Sequence, residues 1–163
     1  MTDGKATGIG LAVFGCSGRM GSLVVGEARD GFRITALYDR RPPGTPPDGR
    51  LPEGTDVVVD FSLPSAWDDL QGLLEGSTAA LVSGTTGLEK RQMDMLRRWS
   101  EQRAVFHASN MSRGVWVLGR LLGIAGGFLG DSADLELIEV HHGRKVDSPS
   151  GTALSLLKAW QSS

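Results

Sequence analysis

Short apolar runs alternate with amphipathic stretches along this chain, and glycine, proline or charged residues mark most boundaries. Residues 8–14 are mostly apolar and predict a short strand buried on both faces. A glycine-rich turn follows, Gly15-Cys16-Ser17-Gly18-Arg19-Met20-Gly21, then a helix over 22–29 with Leu23, Val24 and Ala28 toward the core. Asp30-Gly31 ends that helix, and 32–38 predict a second strand closing on Asp39-Arg40-Arg41. Residues 42–52, rich in proline and glycine, predict a loop. A third buried strand spans 56–61, after which Pro64 opens a helix that Ser62 could cap, running to about residue 75. The fourth strand, 79–83, is broken by Gly84-Thr85-Thr86-Gly87. An amphipathic helix over 88–102 should turn Leu96 and Trp99 inward and Arg97 and Arg98 out. A fifth strand, 104–107, leads into Ala108-Ser109-Asn110-Met111.

Beyond Asn110 the texture changes. Residues 115–129 are apolar and helical despite Gly119, Gly123, Gly126 and Gly127, which suggest close helix packing at a cost in intrinsic helicity. Residues 134–140 alternate as a strand, with Leu135 and Leu137 on one face. Then come His141-His142-Gly143-Arg144-Lys145, Ser148-Pro149-Ser150-Gly151-Thr152 and a last helix through Trp160.

Strands alternating with helices at this spacing predict an α/β fold, a doubly wound parallel sheet of Rossmann-like type. In such a sheet ligands bind beyond the carboxyl ends of the strands. The glycine turn, Asp39-Arg40, Ser62, the loop 84–87 and Asn110 all follow strands directly, so they should share one edge.

Composition narrows the function classes. The chain has 163 residues, 40% hydrophobic and 22% charged, with net charge −2 and no basic stripe, which argues against a nucleic-acid partner. Cys16 is the single cysteine, so no internal disulfide forms and a reducing compartment fits. The first residues lack a signal-peptide pattern, and no apolar run approaches the roughly 18 residues of a membrane span. The expectation is a cytoplasmic protein without a membrane partner.

The glycine turn has a mechanical reading. Gly15 permits the tight turn, Gly18 lets backbone approach a pyrophosphate, and Gly21 lets helix and strand pack closely. Cys16 stands where the first glycine of the common G-x-G-x-x-G pattern would be. A thiol at a helix N-terminus can be reactive, but the plainer reading is a small residue tolerated beside a cofactor. Asp39 ends the next strand about 20 residues on, where ribose hydroxyls would be bound. Arg40 and Arg41 could pair with a 2′-phosphate, which leaves both NADPH and NADH open as the cofactor.

A second constellation begins at Glu139. His141, His142 and Lys145 could supply protons to a reacting ligand, and Ser150-Gly151-Thr152 opens a helix whose positive end suits a carboxylate. A metal site is the weaker rival, because the chain has three histidines and no nearby cysteine.

These residues carry a resemblance. His141-His142-x-x-Lys145-x-Asp147-x-Pro149-Ser150-Gly151-Thr152-Ala153 resembles the signature segment of the 4-hydroxy-tetrahydrodipicolinate reductase (dihydrodipicolinate reductase) family. Gly18-Arg19-Met20-Gly21, Asp60-Phe61-Ser62, Gly84-Thr85-Thr86-Gly87 and Asn110-Met111-Ser112 resemble its cofactor motifs, in the family's order. The resemblance implies NAD(P)H-dependent reduction of 4-hydroxy-tetrahydrodipicolinate in lysine and diaminopimelate biosynthesis. It implies cofactor contacts from Gly15, Gly18, Arg19, Met20, Gly21, Asp39 and Arg40, with Gly84, Thr85, Thr86, Ala108, Ser109, Asn110 and Met111 at the nicotinamide end. His141 would be the proton donor or acceptor and Lys145 the proton donor. His142, Ser150, Gly151 and Thr152 would meet the small dicarboxylate substrate. The implied division is a dinucleotide-binding domain over 1–112 and a partial substrate and catalytic α+β domain over 113–163.

Family chains run well past the final helix, so this one resembles a C-terminally shortened member. Only the strand over 134–140 is then available to the second domain, and an unpaired strand is not stable alone. Trp116, Phe128 and Leu129 should be left partly exposed, which favours a homo-oligomer. The alternative function, from the same ancestry, is a truncated or non-catalytic NAD(P)-binding module.

Overall fold

The computed structural model describes residues 8–39, 49–141 and 149–162. They divide into two compact units that meet between Ala108 and Ser109. In the first unit, β1 (Ile9–Phe14), β2 (Phe32–Tyr38), β3 (Val57–Asp60), β4 (Ala80–Ser83) and β5 (Val105–His107) form one parallel sheet in the order β2-β1-β3-β4-β5. The helices between them are α1 (Arg19–Glu27), α2 (Trp67–Leu74) and α3 (Lys90–Ser100). Successive strands add outward on one side of β1 and then on the other, so the order reverses between β1 and β3. That reversal opens a crevice at their carboxyl ends.

The strands bury one face against α2 and α3, while the opposite face is closed at β1 and open at the outer strands, where Leu37 and Phe106 are exposed. Ala12, Phe14, Val58 and Leu81 join one buried cluster with Trp67, Leu70, Leu74, Leu96 and Trp99, while Leu11 and Val13 are buried outside it. Successive strand residues face opposite sides, so β1 is packed from above and below. Trp67 and Trp99 stack with centroids 5.4 Å apart at 18°, joining α2 to α3. Burying a side chain such as Leu70 contributes about 1.5–3 kcal/mol.

The ladder register aligns the strand ends. Tyr38 pairs with Phe14, Phe14 with Asp60, Asp60 with Ser83, and Ser83 with His107, so the five last residues stand in one row. A register shift contributes: Leu11 faces Ile34 but Ala12 faces Ala36, leaving Thr35 as an extra residue in β2.

The second unit holds α4 (Arg113–Leu129) and α5 (Gly151–Gln161), which pack on each other. Gly119 lies 3.8 Å, as a notional Cβ, from Leu156 Cδ2. That is an ordinary contact with room for a methyl group, so Gly119 does not mark the close helix packing expected of α4's glycines.

Three further expectations need correction. The strand expected over 134–140 does not form: no residue there joins a ladder among the described residues. Its apolar-polar alternation survives as alternating exposure, but periodicity cannot supply a partner strand. Ser62 caps no helix; the turn Pro64–Ala66 starts from Leu63, and the Ser62 hydroxyl donates to Asp60 instead. Helix α1 starts at Arg19 rather than Ser22, and Leu23 is 56% exposed, because α1 lays Gly21 against the preceding turn. Most of the loop expected over 42–52 lies outside the described residues.

Candidate functional site

Close backbone packing builds the rim above β1. Gly15 has φ +82°, and a Cβ there would meet the Phe61 carbonyl oxygen at 2.7 Å. A Cβ on Gly21 would lie 2.1 Å from the Gly15 carbonyl oxygen, so any side chain would displace backbone. The Gly15 and Cys16 amides both donate to the Tyr38 carbonyl, at 2.8 and 3.1 Å, tying the turn to the end of β2. Gly18 is the N-cap of α1; it offers no side-chain cap, and the first turn carries no acidic residue. First-turn amides in such an arrangement, at the positive end of the helix, suit an anion. Arg19 and Met20 open α1, with Met20 exposed.

Beside this turn lies a cavity of about 290 Å³ bordered by Gly15, Gly18, Asp39, Phe61, Ser62 and Leu63. Mostly apolar walls, with the Asp39 carboxylate beside the glycine turn and Asp69 also on the border, fit a nucleoside whose hydroxyls donate to Asp39. The Cys16 thiol is pushed up, first by burial and then by the nearby Asp39 charge, so it stays protonated at neutral pH. That favours a small tolerated residue over a reactive thiolate.

On the β4 side, Gly84 packs so tightly against the Phe61 ring that a Cβ would come within 2.2 Å of it. Thr85 is buried and Thr86 exposed. Asp60, fully buried, sits beneath both loops. Its Oδ1 accepts from the Ser62 amide at 2.9 Å and hydroxyl at 2.6 Å; its Oδ2 accepts from Ser83 Oγ at 2.8 Å and Thr85 Oγ1 at 2.9 Å. His107 Nε2 lies 3.1 Å from the Thr85 carbonyl oxygen, and Ala108 follows it. Asp60 stands in a sequence motif, but its contacts with Ser83 and Thr85, like that of His107 with Thr85, are not legible there because the partners are 22–25 residues distant.

The second unit gathers another set. Ser150 is the N-cap of α5, its hydroxyl accepting from the Ala153 amide at 3.0 Å. Its own amide donates to Glu139 Oε1 at 2.7 Å, while His141 Nε2 lies 3.0 Å from Glu139 Oε2. The Ser150 hydroxyl, the Ser150 amide and His141, in that order, hold the Glu139 carboxyl down to about 2. Asn110 Nδ2 donates to Thr152 Oγ1 at 2.9 Å, and Gly151 rests against Ser109. Asn110, Glu139, His141, Ser150 and Thr152 border a cavity of about 590 Å³. Glu139 is the member that sequence reasoning did not select; its signal was its place two residues before His141. Met111 is exposed. Arg40, His142 and Lys145 lie outside the described residues.

Comparison with known proteins decides the family. The family model described as the N-terminus of dihydrodipicolinate reductase matches residues 9–111, and the model of its C-terminus matches 114–163. This chain belongs to the dihydrodipicolinate reductase family. A 4-hydroxy-tetrahydrodipicolinate reductase of Wolinella succinogenes is 38% identical over 91% of this chain and 62% of its own length. One from Halorhodospira halophila is 36% identical over 93% of this chain and 64% of its own. The chain therefore spans less than two thirds of these relatives. A solved dihydrodipicolinate reductase from a Paenisporosarcina species, described as dipicolinate-bound, shares the fold with a TM-score of 0.70 and 22% identity. That match covers 96% of this chain and 66% of the other. The doubly wound, Rossmann-like parallel sheet expected from the sequence is the fold found. Among the described residues, no helix is long and apolar enough to cross a membrane.

Proposed function

We propose that this chain binds NADPH or NADH along the carboxyl-end rim of its sheet and, with the fold its family shares, reduces 4-hydroxy-tetrahydrodipicolinate to tetrahydrodipicolinate. The pathway would be lysine and diaminopimelate biosynthesis. The observation that carries this reading is the turn in which Gly21 has no room for a side chain, in a chain matched by both family models. The bound cofactor would supply hydride to the substrate ring, from which the 4-hydroxyl group would depart as water. The first-turn amides of α1, from Arg19 through Gly21, would hold the diphosphate, with Gly18 letting it approach the backbone, Asp39 on a ribose and Arg40 available to a 2′-phosphate. Gly84, Thr85 and Thr86, with Ala108, Ser109, Asn110 and Met111, would line the opposite half.

His141 would donate or accept a proton and Lys145 would protonate the reduced ring. His142, Ser150, Gly151 and Thr152 would fix the carboxylates of the dicarboxylate substrate, helped by the positive end of α5. The functional division is then a dinucleotide-binding domain over 1–112 and a substrate-binding portion over 113–163. Exposed Trp116 and Phe128 support a homo-oligomer. A small-metabolite substrate supports a cytoplasmic location.

Reduced-nicotinamide absorbance should fall when freshly generated 4-hydroxy-tetrahydrodipicolinate is added with NADPH or NADH. Lys145→Ala should lower kcat by about 100- to 10,000-fold with cofactor affinity little changed. Binding without consumption would overturn the reductase and leave a nucleotide-binding module.

A further inference from the structure

We propose that Asp60 is a positioning residue for the half of the dinucleotide site farther from Asp39, acting by anchoring Thr85; this rests on the cofactor reading above. A buried carboxylate is a costly way to end a strand, because charge taken out of water must be compensated by partners. Asp60 is fully buried, and no cation pairs with it among the described residues. Its compensation comes instead from neutral donors on two loops: the Ser62 amide and hydroxyl beyond β3, and the Ser83 and Thr85 hydroxyls at the end of β4. One side chain therefore staples two neighbouring strand exits together.

Thr85 is the far end of that staple. It is 2% exposed, its hydroxyl is engaged by Asp60 and its carbonyl oxygen lies 3.1 Å from His107 Nε2. Its side chain is thus an anchor, and what residues 84–86 can offer a ligand is their backbone and the exposed Thr86. Position in the sheet says which half of a ligand this affects. The glycine turn and Asp39 follow β1 and β2, on one side of the strand-order reversal; residues 84–86 follow β4, on the other. A dinucleotide laid across the reversal, with one ribose on Asp39, places its other half over the β4 exit. The Thr85 anchor should then govern affinity for that half; Asp60 also holds Ser62, which borders the cavity beside Asp39, so the Thr85 variants are the ones that leave the adenosine half untouched.

The test compares two probes on the whole chain: the reduced dinucleotide, followed by its own fluorescence, and the matching ADP-ribose, which lacks the nicotinamide ring, followed by calorimetry. Asp60→Asn keeps the shape and removes the charge. Thr85→Val removes the hydroxyl from the Asp60 contact, and Thr85→Ser keeps it. The expected result is a loss of about tenfold in dinucleotide affinity for Asp60→Asn and for Thr85→Val. Thr85→Ser should return to within about twofold of the parent. ADP-ribose should bind both Thr85 variants as it binds the parent, and adding Thr85→Val to Asp60→Asn should cost the dinucleotide nothing further. Equal losses for both probes in Thr85→Val, or no loss for either, would overturn the proposal. Parent protein that binds neither probe would overturn the cofactor reading itself. Should Asp60→Asn fail to show the parent's circular dichroism, the Thr85 pair decides alone.

Discussion

The two units of this chain solve the same problem in opposite ways. In the first, every strand end that carries a candidate site residue is held by its neighbours, through a ladder row from Tyr38 to His107 and through Asp60 beneath it. In the second, two helices pack on each other, yet Phe128 is 87%, Ile138 88% and Val140 89% exposed. A parallel sheet packed on one face by two helices and joined strand to strand by its ladder fixes its rim from within. A helix pair beside a segment that, among the described residues, joins no ladder holds its candidate residues by single contacts: the Ser150 N-cap, the Glu139 carboxylate and the Asn110–Thr152 hydrogen bond. The lesson is that geometry held by many distant pairings is set by the unit itself, whereas geometry held by a few single contacts depends more on what surrounds it.

That contrast can be broken by unequal costs. Leu70→Ala should destabilise the first unit by about 2–5 kcal/mol in urea unfolding, because Leu70 is fully enclosed. Gly21→Ala should weaken dinucleotide binding by about tenfold or more, since its Cβ would press on the Gly15 carbonyl. In the second unit the same change at Gly119 meets only an ordinary contact with Leu156, and a gain of about 0.5–1 kcal/mol is expected from helix propensity. Phe128→Ala should shift stability by no more than about 0.5 kcal/mol. A cost at Phe128 rivalling that at Leu70 would mean that its face is covered in solution, and the contrast would fall.

The smallest effect expected is on pH. Glu139 titrates at about 2 in the folded chain against an ordinary 4.5, so its contribution is complete above 4.5 and disappears as pH falls through 2. The Ser150 amide resonance should therefore titrate near the lower value. A midpoint near 4.5 would show that the contact with Glu139 is not kept in solution.

What could be read in advance follows the range of the forces involved. The five strands were legible because they are apolar runs bounded by glycine, proline or charge, and the glycine turn because its spacing is local. Trp99 and Leu96 faced inward as helical periodicity requires. Asp60 was legible as a motif member but not as a hub, since Ser83 and Thr85 reach it from 23 and 25 residues away. Residues 134–140 show the converse failure: their alternation is strand-like, but a strand exists only where another chain segment accepts its hydrogen bonds. Leu23 was misplaced because a glycine, Gly21, and not an apolar side chain, decides which side of α1 lies against the turn.

The additional residue in β2 has a consequence for reach. Carried on unbroken from the Ile9–Phe32 pair, the alignment would set Leu37 beside Phe14. Asp39 would then stand one step, about 3.3 Å, farther from Gly15 and project from the reverse side of the strand. Thr35 works as a spacer: a single threonine mid-strand gauges the distance between the carboxylate four residues downstream and the glycine turn that follows β1.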